Sequence, residues 1–235
     1  LKGTSWGNST VKQLLTMSSG AFPTLKFLAG HKNRDMAVAL TKALRSQESV
    51  PVADILMKFD SKKFTPGSRF IYSNADTAAL GLALSKAMAT PVYNLMKPLW
   101  DDVGANHNAF WLRNSHGEAH AYSGFAANPN DWLLLGHYVT NNLKKDDCFS
   151  DYLKQATKKQ IDNPAFGDNR EYGYQIWTGC GVGTNAFCFV GGFGQLLLIE
   201  PKTNLVLYVH SVASKWGGIN HWENFLFEAY KKYKN

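Results

Sequence analysis

The sequence contains few cysteines, no long apolar run and no complete set of metal ligands. Only three of its 235 residues are cysteine, and their spacing matches no zinc or redox motif. No run approaches the ~18 consecutive apolar residues that a membrane-spanning helix needs. We therefore expect no metal or other cofactor and no membrane span.

The positive charge of the chain is not concentrated in one place. The formal net charge is +7, but a nucleic-acid-binding protein more often gathers its cations into one stripe. A solubilising surface explains this pattern better than a nucleic-acid partner does. The apolar content of 45% and the seven tryptophans indicate a folded globular protein with a large core. The lysines are not gathered into such a stripe but lie along the chain as scattered pairs: Lys62-Lys63, Lys144-Lys145, Lys158-Lys159 and Lys231-Lys232.

Two of the cysteines flank a glycine-rich loop between two expected strands. Cys180 and Cys188 could face each other there and form a disulfide, which is typical of an oxidising compartment such as the periplasm or the cell exterior. Two buried free thiols are the alternative, and a cytoplasmic location stays open. Cys148 is expected to be unpaired.

Helical patterns fill the chain from about residue 9 to 165, and strand patterns follow from about 170 to 235. We predict an α+β fold of one folding unit over residues 1–235, with an antiparallel sheet flanked by helices. The predicted helices are one capped by Ser9 or Thr10 and ended by Gly20, then Asp35–Arg45, Val52–Met57, Ala75–Met88, Val92–Trp100, Asp131–Asn142, Phe149–Gln160 and Asn220–Tyr233. The predicted strands are Tyr172–Thr178, Ala186–Val190, Gln195–Glu200 and Leu205–Ser211.

The stretch from Pro66 to Asn74 is the most informative part of the sequence. Pro66-Gly67 predicts a turn, because proline presets φ and glycine tolerates a positive φ at the next position. A short extended piece follows, and Asn74 is a suitable N-cap for the helix behind it. Gly81 in that helix allows another element to approach closely. Tyr72 and Asn74 are therefore expected at a rigid junction.

Four motifs in order resemble the serine β-lactamase-like hydrolases, which include class C β-lactamases, D-Ala-D-Ala carboxypeptidases, esterases and 6-aminohexanoate-dimer hydrolases. The likeness is greatest to the last branch. The motifs are the helix with Leu14-Leu15-Thr16-Met17-Ser18-Ser19-Gly20, Pro66-Gly67 with Tyr72-Ser73-Asn74, Gly124 to Asp131-Trp132, and Gly191-Gly192-Phe193-Gly194-Gln195 with the strand after it.

This resemblance assigns roles to residues at two places. Tyr72 would be the proton-relaying phenol, and Asn74 would orient the substrate or a catalytic lysine. Gly191, Gly192 and Gln195 would border the substrate and provide an N–H for the oxyanion. A buried structural tyrosine and a tight bend at the glycines are the alternatives. Phe189-Val190-Gly191 replaces the Lys-Thr-Gly of class C β-lactamases, which favours a small amide or ester substrate over a β-lactam.

The family's nucleophile motif, Ser-x-x-Lys, is not found at its expected place. It should lie tens of residues before the Leu-Leu helix, and Ser9-Thr10-Val11-Lys12 overlaps that helix instead. The resemblance thus implies that this chain is the C-terminal part of an acyl-enzyme-forming hydrolase, with the missing segment upstream or present as a separate peptide. A catalytically silent relative that binds a ligand or peptide is the alternative.

Three histidines are weaker candidates. His116 and His120 could share a face of a strand and bind a metal, although a solvated polar loop explains them better. His210 lies in an apolar strand, where a satisfied core residue is the usual interpretation and a general base the alternative.

Overall fold

The computed structural model describes residues 1–21, 50–62, 64–162, 171–180, 185–212 and 228–233. Within them the chain forms helices and short antiparallel strands, and the predicted α+β class is confirmed. The helices are α1 (Val11–Leu15), α2 (Val52–Lys58), α3 (Asn74–Ala87), α4 (Val92–Val103), α5 (Pro129–Asn142) and α6 (Cys148–Ala156). The strands are β1 (Phe110–Trp111), β2 (Phe125–Ala126), β3 (Glu171–Tyr172), β4 (Trp177–Thr178), β5 (Phe187–Val190), β6 (Leu196–Glu200) and β7 (Leu205–Val209).

The chain divides into two compact units, and the first is mainly helical. It comprises Leu1–Asp102, Asn108–Ala126 and Ile161–Ala165. Gly81 on α3 confirms the predicted close approach, because a Cβ at this position would lie 2.6 Å from the Cβ of Ala121. The buried core is formed by Trp6, Leu14, Ala21, Val52, Ile55, Leu56, Ala75, Ala78 and Ala79.

The second unit is built on a sheet of five antiparallel strands in the order β3-β4-β5-β6-β7. It comprises Val103–His107, Ala127–Gln160 and Phe166–Asn235. Strand β6 is buried along its whole length, as expected for an apolar strand covered on both faces. Gly136 lets α5 pack closely on β7, since an added Cβ would lie 2.4 Å from Val206.

Some predicted elements differ from the observed ones. The expected strand Tyr172–Thr178 is a hairpin in which Tyr172 pairs with Trp177. The chain reverses there because Gly173 fits against the carbonyl oxygen of Ala156 and Gln175 adopts a φ of +57°. The predicted helix Asp35–Arg45 lies outside the described residues, and of Asn220–Tyr233 only 228–233 are described, as helix.

The first predicted helix is also shorter than expected. Thr10 is its N-cap, and α1 ends at Leu15 instead of reaching Gly20. Thr16 is the C-cap, and Met17 takes a φ of +53°, so the chain leaves the helical path before it reaches Gly20.

Cys180 and Cys188 form a disulfide between the end of β4 and strand β5. Cys148 is a free, exposed thiol. Among the helices within the described residues, none combines the length and the apolar character that crossing a membrane requires.

Candidate active site

The segment before Tyr72 forms the predicted turn. The Ser68 N–H donates to the carbonyl oxygen of Thr65 at 3.0 Å, and Gly67 has a φ of +84°. Proline followed by a residue of positive φ is the sequence of a type II turn. The turn directs the chain into the extended stretch that carries Tyr72.

Residues 17 and 18 hold this stretch through its backbone. The Gly67 N–H donates to the carbonyl oxygen of Ser18 at 2.7 Å, and the Ile71 N–H donates to that of Met17 at 2.8 Å. The Ser73 N–H donates to Met17 Sδ at 3.4 Å. The residues on both sides of Tyr72 are therefore bonded to Met17, so two motifs that are about fifty residues apart in sequence form one structural piece.

Ser73, and not Asn74, caps helix α3. Ser73 has extended backbone angles and its side chain accepts the N–H of Ala75 at 3.2 Å, which makes Asn74 the first helical residue. Serine and asparagine are about equally good N-caps, so the sequence alone does not choose between these neighbours. The amide of Asn74 is thereby released from the capping role that we predicted for it. Tyr72 and Asn74 are both partly exposed.

Asp76 lies in the first turn of α3 and is fully enclosed. Its relative exposure is 1%, and it accepts three hydrogen bonds: from Ser19 Oγ at 2.6 Å, from the Ser19 N–H at 3.2 Å and from Trp6 Nε1 at 3.0 Å. Burial raises the pKa of this carboxyl to about 6, against the opposing effect of these donors. No motif in the sequence points to Asp76; the only local indication is an acidic residue among the alanines that open α3.

The glycine-rich motif forms the connection between β5 and β6. The Gly191 N–H donates to the carbonyl oxygen of Gln195 at 2.9 Å, so that N–H is engaged within the hairpin. Phe193 and Gly194 have φ values of +63° and +84°. Among the described residues, no atom lies within 4 Å of a Cβ added at Gly192.

Strand β5 is only partly covered by β4. Strand β4 pairs with Phe187 and Cys188 alone, whereas β6 pairs with all four residues from Phe187 to Val190. Among the described strands, Phe189 and Val190 are thus paired on one side only.

Ser9 and Lys12 do not form the arrangement that the Ser-x-x-Lys motif requires. Residues three apart meet on one face when both are helical, but Ser9 precedes the N-cap Thr10 and lies outside α1. Its hydroxyl donates to the carbonyl oxygen of Ser5 at 2.8 Å, and Lys12 is exposed. This geometry fits a local backbone contact and a surface lysine.

Asp131 of the predicted Asp-Trp motif is another buried carboxylate. Burial acts to raise its pKa, but bonds from the backbone N–H of Asn106 and from both the side chain and the backbone of His107 outweigh that effect, so its pKa lies below the usual value. His107 Nδ1 lies 3.2 Å from Asp131 Oδ2. Asp131 therefore fastens the chain at residues 106–107 to the start of α5.

The other histidines take separate positions. His116 is exposed at a tight turn, whereas His120 is buried and stacked on Tyr122, so His120 is not in a solvated loop. Burial lowers the pKa of His120 against the opposing effect of Glu118. His210 is exposed just after β7, with Nδ1 3.3 Å from the Tyr208 hydroxyl, and so is not a core residue.

Solved structures with the same fold include hydrolases and a penicillin-binding protein. A candidate 6-aminohexanoate-dimer hydrolase from Bacillus anthracis has a TM-score of 0.77 and 19% identity over 97% of this chain. EstCE1, a hydrolase with promiscuous acyltransferase activity, has a TM-score of 0.73 and 12% identity over 94% of this chain and 71% of its own. A penicillin-binding protein from Bacillus halodurans has a TM-score of 0.66 and 18% identity over 95% of this chain and 73% of its own.

The chain spans 62% of the length of the Bacillus anthracis protein. A comparison with curated protein sequences gives no match. The fold that this chain shares with the solved structures above is that of the serine β-lactamase and transpeptidase class. The β-lactamase family model matches residues 1–221, and the chain belongs to the β-lactamase family.

Proposed function

We propose that the protein is a serine hydrolase that acts on a small amide or ester through an acyl-enzyme, and that these residues are its C-terminal part. The observation that carries the proposal is the Tyr72-Ser73-Asn74 junction in a chain of the β-lactamase family. Met17 holds the backbone on both sides of Tyr72. A side chain used in proton transfer needs this type of fixed placement, because general acid–base catalysis depends on hydrogen-bond reach.

In this proposal Tyr72 relays the proton of the nucleophile to the leaving group, and Asn74 orients the substrate. The helix cap supports the assignment of Asn74, since Ser73 and not Asn74 accepts the N–H of Ala75. Both side chains are partly exposed, as groups that contact a substrate must be.

The glycine hairpin provides the proposed substrate border. The Gly192 N–H is the better oxyanion donor, because the Gly191 N–H is bonded to Gln195 and no atom of the described part of the chain lies within 4 Å of a Cβ added at Gly192. Donors aimed at a developing oxyanion are typically worth about 3 kcal/mol. Phe189 and Val190 supply no cation, and the proposed substrate therefore needs no carboxylate.

The nucleophile is proposed to lie outside these 235 residues, since Ser9 and Lys12 are misplaced for that role. Acyl transfer to an acceptor other than water is a related possibility suggested by the description of EstCE1. The Cys180–Cys188 disulfide supports a periplasmic or secreted location.

Labelling with a fluorophosphonate probe tests this proposal. The complete gene product and the 235-residue chain are each treated, and intact mass and peptide mapping locate any adduct. We expect an adduct on the complete product at a serine outside these residues. An adduct on Ser9 would preserve the hydrolase but refute our placement of its nucleophile.

A catalytically silent binding protein is the second candidate, and the geometry of Ser9 and Lys12 favours it. It predicts no adduct on the complete product, together with saturable binding of a small amide by the folded chain. Absence of both labelling and ester turnover in the complete product would exclude the hydrolase.

A further inference from the structure

Asp76 has no place in the chemistry proposed above, yet it lies two residues after Asn74 in the interior of the first unit. We propose that Asp76 is a positioning residue, whose carboxylate fixes the segment of residues 17–19 and thereby the backbone around Tyr72. This inference rests on the proposed function for its effect on catalysis, but its structural part is measurable without turnover.

The path from Asp76 to Tyr72 consists of short, direct contacts. The carboxylate binds the N–H and the hydroxyl of Ser19. Met17 precedes Ser19 by two residues and accepts the N–H of Ile71 and the N–H of Ser73. Each residue next to Tyr72 is therefore linked to Asp76 through one buried segment.

The chemistry of the site explains why a carboxylate is used. It accepts three hydrogen bonds, one of them from Trp6, and an ionised carboxylate can accept them all because it has no hydrogen of its own. An asparagine amide would direct its NH₂ at one of these donors. A buried charge by itself is weak evidence for a stabilising role. The fixed geometry that Asp76 gives to the proposed catalytic junction explains its presence without such a role.

Steady-state kinetics of the complete gene product on p-nitrophenyl acetate tests the catalytic part. We expect Asp76→Asn and Ser19→Ala to lower kcat at least 10-fold at pH 7.5 and to change KM less than 3-fold. The control is Asp60→Asn, because Asp60 also accepts an N–H from the N-terminal loop, that of Ser5 at 3.0 Å, and within the described residues its bonds do not reach residues 17–19. This control should stay within 2-fold of the wild type.

Hydrogen exchange provides a readout that does not require activity. In Asp76→Asn we expect the amides of Ile71 and Ser73 to exchange at least 10-fold faster, while those of α6 stay unchanged. Unchanged exchange at both amides, or equal kcat losses in Asp76→Asn and Asp60→Asn, would overturn the positioning role. An inactive wild type would count against the proposed hydrolase, and the exchange rates would still decide the role of Asp76.

Discussion

At the scale of single residues, the buried Asp76 carboxylate makes stability depend on pH in an unusual direction. Its pKa is raised from 3.8 to about 6 in the folded protein, first because of burial. The folded state therefore binds more protons than the unfolded state between these values. The contribution of this group to stability is fully present below about pH 4 and is lost as the pH rises through 6.

Asp76→Asn should remove this dependence. We expect the free energy of unfolding of the wild type, relative to the variant, to fall by about 2 kcal/mol between pH 4 and pH 7, because one pKa unit corresponds to about 1.4 kcal/mol and part of the contribution is already lost at pH 4. Urea unfolding at intervals of half a pH unit measures it. A difference between the two proteins that is constant over this range would show that Asp76 does not titrate as described. Asp131, whose pKa is lowered, contributes in the opposite direction and is present in both proteins.

The sequence predicted some residues well and missed others for physical reasons. The turn at Pro66-Gly67 was predictable because its causes are local. The burial of Asp76 was not, since its donors Ser19 and Trp6 lie 57 and 70 residues away. The choice of Ser73 over Asn74 as the cap depends on the path of the chain past Met17, which short-range propensity does not contain.

At the scale of elements, the packing of α3 depends on Gly81 having no Cβ atom. Alanine is normally about 1 kcal/mol better than glycine inside a helix. At this position an added Cβ would lie 2.6 Å from the Cβ of Ala121, and we expect Gly81→Ala to destabilise the protein by about 1–3 kcal/mol.

A double-mutant cycle tests that contact. Ala121→Gly removes the opposing methyl group, so the double variant should regain most of the stability lost in Gly81→Ala. Additive effects in chemical denaturation would contradict the close approach.

The disulfide should stabilise the hairpin of β4 and β5. It joins residues eight apart, and a short closed loop of this size predicts a gain of about 2–3 kcal/mol. We expect the double variant Cys180→Ala/Cys188→Ala to lose this amount in thermal or urea unfolding. Cys148→Ser, at the exposed free thiol, is the control and should leave stability unchanged; a double variant as stable as this control would refute a stabilising disulfide.

Most elements were predictable from periodicity, and the exceptions have identifiable causes. Strands β5, β6 and β7 match their apolar runs to within one or two residues. The sequence predicts a single strand from 172 to 178. Gly173 and Gln175 make the reversal there, and the close contact of Gly173 with Ala156 is a tertiary feature.

At the scale of the whole molecule, family and fold agree with the motifs read from the sequence. The β-lactamase family model covers residues 1–221, although the identity to the solved structures described above is below 20%. Fold alone does not determine substrate, so the amide or ester specificity depends on the Phe189-Val190-Gly191 sequence and remains our proposal. The role of Tyr72 is the central claim that connects the fold to a reaction.

The most direct test of this claim is kcat for p-nitrophenyl acetate in the complete gene product and its Tyr72→Phe variant. Phenylalanine keeps the ring and removes the proton that Tyr72 is proposed to relay, so we predict a decrease of about 100-fold or more with KM little changed. Tyr152→Phe, which alters an exposed tyrosine on α6, is the matched control and should retain full activity. A Tyr72→Phe variant with wild-type kcat would contradict the account.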